Sequence, residues 1–114
     1  MSGLGLEELE KRKIELERMV KDLKEKVKII EEKYEKAKQI EDKIFEKMHS
    51  SRDESERALL EVKYARISEK KKEIENKLNE MRKRLHGAEN ELKEIKRTIG
   101  YIKPRTTQWV EEKA

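Results

Sequence analysis

From Leu60 to Ile102 apolar side chains recur at alternating spacings of four and three: Leu60, Tyr64, Ile67, Ile74, Leu78, Met81, Leu85, Ala88, Leu92, Ile95, Ile99 and Ile102. Lys71 is the one polar residue in the run. This spacing keeps a single stripe on one side of an α-helix, and the stripe can leave water only by packing along another helix. The partner is in the same chain. Leu6, Leu9, Leu16, Val20, Leu23, Val27, Ile30, Tyr34, Ala37, Ile44 and Met48 repeat in the same way, with Lys13 and Glu41 as the polar members.

The two repeats are not in phase. Continuing the first heptad register puts the next a positions at Ser55 and Val62, whereas the second repeat puts them at Arg57 and Tyr64. A two-residue jump inside one straight helix would carry the stripe well around its surface, so the chain is expected to break and reverse. The break falls at His49-Ser50-Ser51-Arg52, and Ser51-Arg52-Asp53-Glu54 has the form of a capping box opening a new helix. The expected architecture is therefore all-α, an antiparallel two-helix coiled-coil hairpin. Residues 1–5 form a flexible lead-in, 6–48 the first helix, 49–52 the turn and 53–102 the second helix. Pro104, preceded by Gly100, is expected to end that helix and leave residues 103–114 as a tail.

Setting residues opposite one another when their numbers add to 101 makes every a position meet a d position, as antiparallel packing requires. Leu9 then faces Leu92, Val20 faces Met81 and Ala37 faces Tyr64, while Ile99 and Ile102 overhang without a partner. On the e edge this register pairs Glu17 with Arg82, Lys24 with Glu75 and Lys38 with Glu61. On the g edge it brings Lys26 to Lys77 and Lys33 to Lys70, each a mildly unfavourable like-charge contact.

Composition excludes more than it selects. With 114 residues, 33% hydrophobic and 49% charged, the chain cannot enclose a broad globular core. It has no cysteine, and its 30 basic and 26 acidic residues give a net charge of only +4, so nucleic-acid binding is permitted without being announced. His49 and His86 are too far apart in the hairpin to form a metal pair, and no glycine-rich phosphate loop is present. Carboxylates are everywhere, but a thin hairpin has no cleft to tune them for acid-base work. A nonenzymatic protein without cofactor or metal is expected. No run resembles a signal peptide or membrane span, so the expected location is the cytoplasm, and the Lys, Glu and Ile bias resembles that of thermophile proteins.

Three groups of residues are candidates for recognition. Ile40, Phe45, Leu59 and Val62 lie off the stripe near the turn, where two hairpins could meet as a homodimer and form a four-helix bundle. Lys26, Lys33, Lys70 and Lys77 on the g edge, with Arg82, Lys83, Arg84, Lys93, Lys96 and Arg97 toward the open end, are candidates for nucleic acid or an acidic partner. Trp109 and Val110 are a candidate anchor for a protein partner. The expected function is a self-associating scaffold or adaptor for protein–protein interactions. The alternative is a nucleic-acid or ribonucleoprotein binder working through the basic edge.

Overall fold

The computed structural model describes residues 5–113, with side chains through residue 102. The protein is all-α, two long antiparallel helices packed against each other as a helical hairpin: α1 (Leu6–Ser50) and α2 (Glu54–Lys113). Contacts divide the chain into two compact units, the first made of Met1–Lys24 with Lys83–Ala114 and the second of Glu25–Arg82.

The first intrahelical bond of α1 runs from the Leu9 N–H to the Gly5 carbonyl at 3.0 Å. Glu7 and Glu8 sit in its first turn, and Lys47 and His49 in its last, each sign complementing the helix dipole. The reversal occupies Ser51, Arg52 and Asp53. It uses no positive φ, which explains how a turn without glycine or proline is tolerated.

Side chains close both helix ends at this turn. The Asp53 carboxylate accepts from the Ser55 N–H at 3.0 Å, and the Asp53 carbonyl accepts from the Arg57 N–H at 2.9 Å. Asp53 is therefore the N-cap of α2, two residues later than the capping box expected at Ser51. Ser51 serves the cap from outside, its hydroxyl lying 3.3 Å from a Glu56 carboxylate oxygen. At the end of α1 the Ser50 hydroxyl donates to the Lys47 carbonyl at 3.3 Å and the Arg57 guanidinium to the Met48 carbonyl at 3.4 Å. The Lys47 carbonyl also accepts from the Ser51 N–H at 2.9 Å, so the Ser50 contact adds to a bond already made, whereas the Arg57 guanidinium serves an end carbonyl of the last turn.

α2 continues to Lys113, past Ile102 and through Pro104. A proline inside a helix lacks the N–H that would bond four residues back, here to Gly100, and one missing bond does not end a helix by itself.

The cross-helix pairs give a register different from the one expected. In the first unit Arg12 bonds Glu91 at 2.8 Å and Lys24 reaches Glu89 at 4.0 Å. In the second, Arg82 pairs with Glu31 at 3.2 Å, Lys71 with Glu41 at 2.8 Å, and the Phe45 ring lies 5.9 Å from the Tyr64 ring. The numbers of these partners add to values from 103 to 113, with a mean of 110, and of the sums that let every a position meet a d position 108 lies nearest. The register is one heptad away from the expected 101. Neither Lys24 nor Arg82 meets its expected e-edge partner. Both meet one two heptads along.

A sum of 108 sets Leu9 opposite Ile99 and Leu6 opposite Ile102, so the expected overhang does not arise. Leu9 and Ile99 are buried accordingly. The core of the first unit comprises Leu9, Leu16, Val20, Leu23, Ala88 and Ile99, and Leu16 is fully enclosed. That of the second comprises Val27, Ile30, Ala37, Leu60 and Leu78.

Candidate interaction surfaces

The polar members of the two repeats find each other in the second unit. The Lys71 ammonium donates to the Glu41 carboxylate at 2.8 Å, and the Ser68 hydroxyl donates to the other oxygen of the same carboxylate at 2.7 Å. The Glu41 side chain is only 12% exposed. The bond from Lys71, followed by that from Ser68, holds the Glu41 carboxyl below the usual carboxylate range, and the same bond from Glu41 raises Lys71. Neither residue was marked for a role in the sequence, although Lys71 as the one polar member of its stripe and Glu41 as one of two in the other were visible there.

The four residues expected to form a dimer contact are all exposed: Ile40 at 48%, Phe45 at 46%, Leu59 at 65% and Val62 at 51%. They do not share one face. Phe45 occupies an e position on one edge of the stripe, with its ring 4.2 Å from His49 and stacked toward Tyr64. Ile40 occupies a g position on the other edge. Leu59 and Val62 lie at c and f on the outward side of α2, and exposed Ala58 and Ala65 at b complete an apolar arc there. The two alanines were not singled out in the sequence. Their signal is the helical spacing they share with Leu59 and Val62, and their small size allows a close approach to that arc.

The two edges of the second unit carry contrasting charge. On the e edge Glu31 is paired with Arg82, and mixed charge continues through Lys38, Glu61 and Glu75. The g positions are Lys26, Lys33, Ile40, Lys47, Glu56, Lys63, Lys70 and Lys77, all exposed. Six of eight are lysine, and the one carboxylate, Glu56, lies at the turn end beside Ser51. No ion pair among the described residues involves any of these six lysines. Asp22 and Glu73 lie within one turn of this edge, and among the described residues neither forms an ion pair with a g-edge lysine.

In the first unit, Val20, Lys24, His86, Glu89, Asn90, Leu92, Lys93 and Lys96 line an open groove of about 430 Å³. It brings Lys93 and Lys96 of the expected basic cluster beside Lys24. Arg82 of that cluster belongs to the second unit, where Glu31 occupies it. A second groove of about 400 Å³, lined by Leu16, Met19, Leu23, Gly87, Ala88 and the rim residues Arg12, Arg84 and Glu91, opens on the other side. Trp109 and Val110, the expected anchor, lie outside the residues whose side chains are described. Among the described residues no group of His, Cys, Asp or Glu is arranged to hold a metal ion, and no helix is long and apolar enough to cross a membrane.

No protein-family model matches the sequence, and neither a curated protein nor a solved structure does.

Proposed function

We propose that this protein is a nonenzymatic coiled-coil adaptor that self-associates beside its turn and presents its remaining surface to other proteins. One observation carries the reading: the outward arc Ala58, Leu59, Val62 and Ala65 is apolar and exposed although α2 already buries its other face in the hairpin. A helix that is apolar on two opposite sides is built to lie between two neighbours. A second copy docking arc against arc would make a four-helix bundle at this end. Phe45, on the far edge and engaged with His49 and Tyr64, falls outside that contact.

Light scattering coupled to size-exclusion chromatography tests this. The expected mass is that of a dimer, and Leu59→Asp with Val62→Asp should give a folded monomer with unchanged helicity. A parent protein that runs as a monomer at high micromolar concentration, or a doubly substituted one that stays dimeric, rules the arc out as the interface.

A second reading has its own support. The groove of the first unit gathers Lys93 and Lys96 with His86 and Asn90, beside Lys24 and its partner Glu89, a set suited to contacting phosphates without reading bases, since no Phe, Tyr or Trp lines it. A nucleic-acid affinity that falls steeply with salt and is weakened by Lys93→Glu with Lys96→Glu would support it.

A further inference from the structure

The lysine edge of the second unit has no use in either reading. Its six lysines stand in two antiparallel rows along the groove between the helices: Lys26, Lys33 and Lys47 from α1, and Lys63, Lys70 and Lys77 from α2. Heptad spacing puts successive g positions of a row roughly 10 Å apart at 1.5 Å rise per residue, and Lys33 and Lys47, with Ile40 between them, about 21 Å apart. Ile40 interrupts the α1 row, 48% exposed, and Ile29, 52% exposed, lies at the neighbouring c position. A second copy placed edge to edge would set lysines against lysines, so this surface disfavours self-contact. Its complement is negative at heptad intervals and apolar between them.

We propose that this edge seats an acidic amphipathic helix of a partner protein, with glutamates against Lys26, Lys33, Lys70 and Lys77 and an aliphatic residue against Ile40. A helix laid along the groove repeats its own side chains every seven residues, in step with both rows, and can add a third member to the bundle. A phosphate backbone would satisfy the lysines but would set charge against Ile29 and Ile40. It also has no need of the heptad spacing, because its charges recur every few ångströms. The aliphatic residues decide between the two partners. The inference rests on the adaptor reading only in taking the partner to be a protein, and it does not require the dimer.

The test uses the full chain and a labelled synthetic four-heptad peptide with leucine at the two seam positions and glutamate flanking them. Two controls accompany it: the same peptide with prolines at its centre, and a short DNA duplex. By fluorescence anisotropy at moderate salt, the helical peptide should bind the protein. Ile40→Ser should weaken that binding about tenfold, the scale of one apolar anchor. Lys33→Glu with Lys70→Glu should remove it, and the proline-broken peptide should bind at least about tenfold more weakly, because it cannot keep its charges in step.

Equal binding of the broken peptide, or an affinity that Ile40→Ser leaves unchanged, overturns the inference, as does an absence of peptide binding at low salt. DNA that displaces the peptide and binds the Ile40→Ser protein as tightly as the parent would assign the edge to polyanions instead. The mass of the Ile40 and lysine variants, read by light scattering, should remain dimeric because Leu59 and Val62 are intact. A monomeric mass with peptide binding retained would sink the self-association reading and leave this one standing.

Discussion

The two units are built from the same heptad yet hold themselves together differently. Both bury aliphatic side chains, Leu9, Leu16, Val20, Leu23, Ala88 and Ile99 in the first and Val27, Ile30, Ala37, Leu60 and Leu78 in the second, and only the first holds a fully enclosed one, Leu16. Each also leaves stripe positions half-buried, Leu85, Leu92 and Ile95 in the first and Tyr34, Ile44, Tyr64, Ile67 and Ile74 in the second, but only the second has its stripe crossed by a bonded cluster, Glu41, Ser68 and Lys71. Apolar layers supply free energy without direction, because a leucine is nearly as well placed against any other aliphatic one heptad away. A carboxylate that must meet an ammonium is satisfied in one alignment only. The first unit thus stabilises, and the second selects.

The largest expected effect tests the stabilising half. Leu16 is fully enclosed, so Leu16→Ala should cost about 2–4 kcal/mol, the lower part of the range for buried leucines because a two-helix core can partly close the gap. Ile74→Ala, at a half-buried position in the second unit, should cost roughly half as much by the same area argument. Urea denaturation of the two variants measures both. Equal losses would break the contrast between the units.

The selecting half is tested by removing both polar residues. The Glu41–Lys71 pair is part-buried, and replacing both partners with aliphatic side chains leaves no charge unpaired, so Glu41→Leu with Lys71→Leu should keep or raise the melting temperature. What it should lose is uniqueness. In a cysteine-free chain, Val27→Cys with Met81→Cys reports the observed register, and Val27→Cys with Ile74→Cys reports the one a heptad away. The parent should crosslink the first pair alone, and the leucine variant should crosslink both. If only the first pair forms in both backgrounds, the turn sets the register and Glu41 does not.

Acid should act through the same carboxylate. Glu41 has a folded pKa below its unfolded value of about 4.3, so its contribution is present above that pH and is lost as pH falls through the folded pKa. The stability difference between the parent and Glu41→Gln should therefore shrink below about pH 4, which a urea series at several pH values would record.

Much of this fold was legible before any coordinate. The two stripes, their phase break and the antiparallel arrangement follow from spacing alone, and α1 begins at Leu6 where its repeat begins. The register was not, because a seven-residue slip preserves every a-to-d meeting. It does set Glu17 against Glu89, Lys24 against Arg82 and Glu31 against Glu75 on the e edge, and Lys24 and Arg82 reach carboxylates diagonally instead. The deciding signal was in the sequence: both registers set the two charges directly opposite aliphatic residues, Leu60 and Ile30 at 101 and Ile67 and Ala37 at 108, but only 108 brings the charges within diagonal reach of each other. Aligning on apolar positions alone passed over it. The cap moved by two residues for a related reason, since Ser51 and Asp53 are both good N-caps and only the backbone chooses between them. Of the recognition surfaces, the g-edge lysines and the exposure of Leu59 and Val62 were readable. The separation of Phe45 from them was readable too, had its e position been weighed against the g position of Ile40.

The smallest effect sharpens the contrast from the other side, by asking whether the first unit has stability still to gain. Gly87 lies inside α2 at an outward c position, and a Cβ built there meets nothing within 4 Å. Helical φ suits alanine as well as glycine, while the unfolded chain loses freedom when the side chain is added. Gly87→Ala should therefore raise stability by about 0.5–1 kcal/mol. Thermal unfolding followed by circular dichroism would show the rise. A loss instead would mean that the groove floored by Gly87 and Ala88 is held open by contacts that a methyl group disturbs, and that this unit too is shaped by something other than packing.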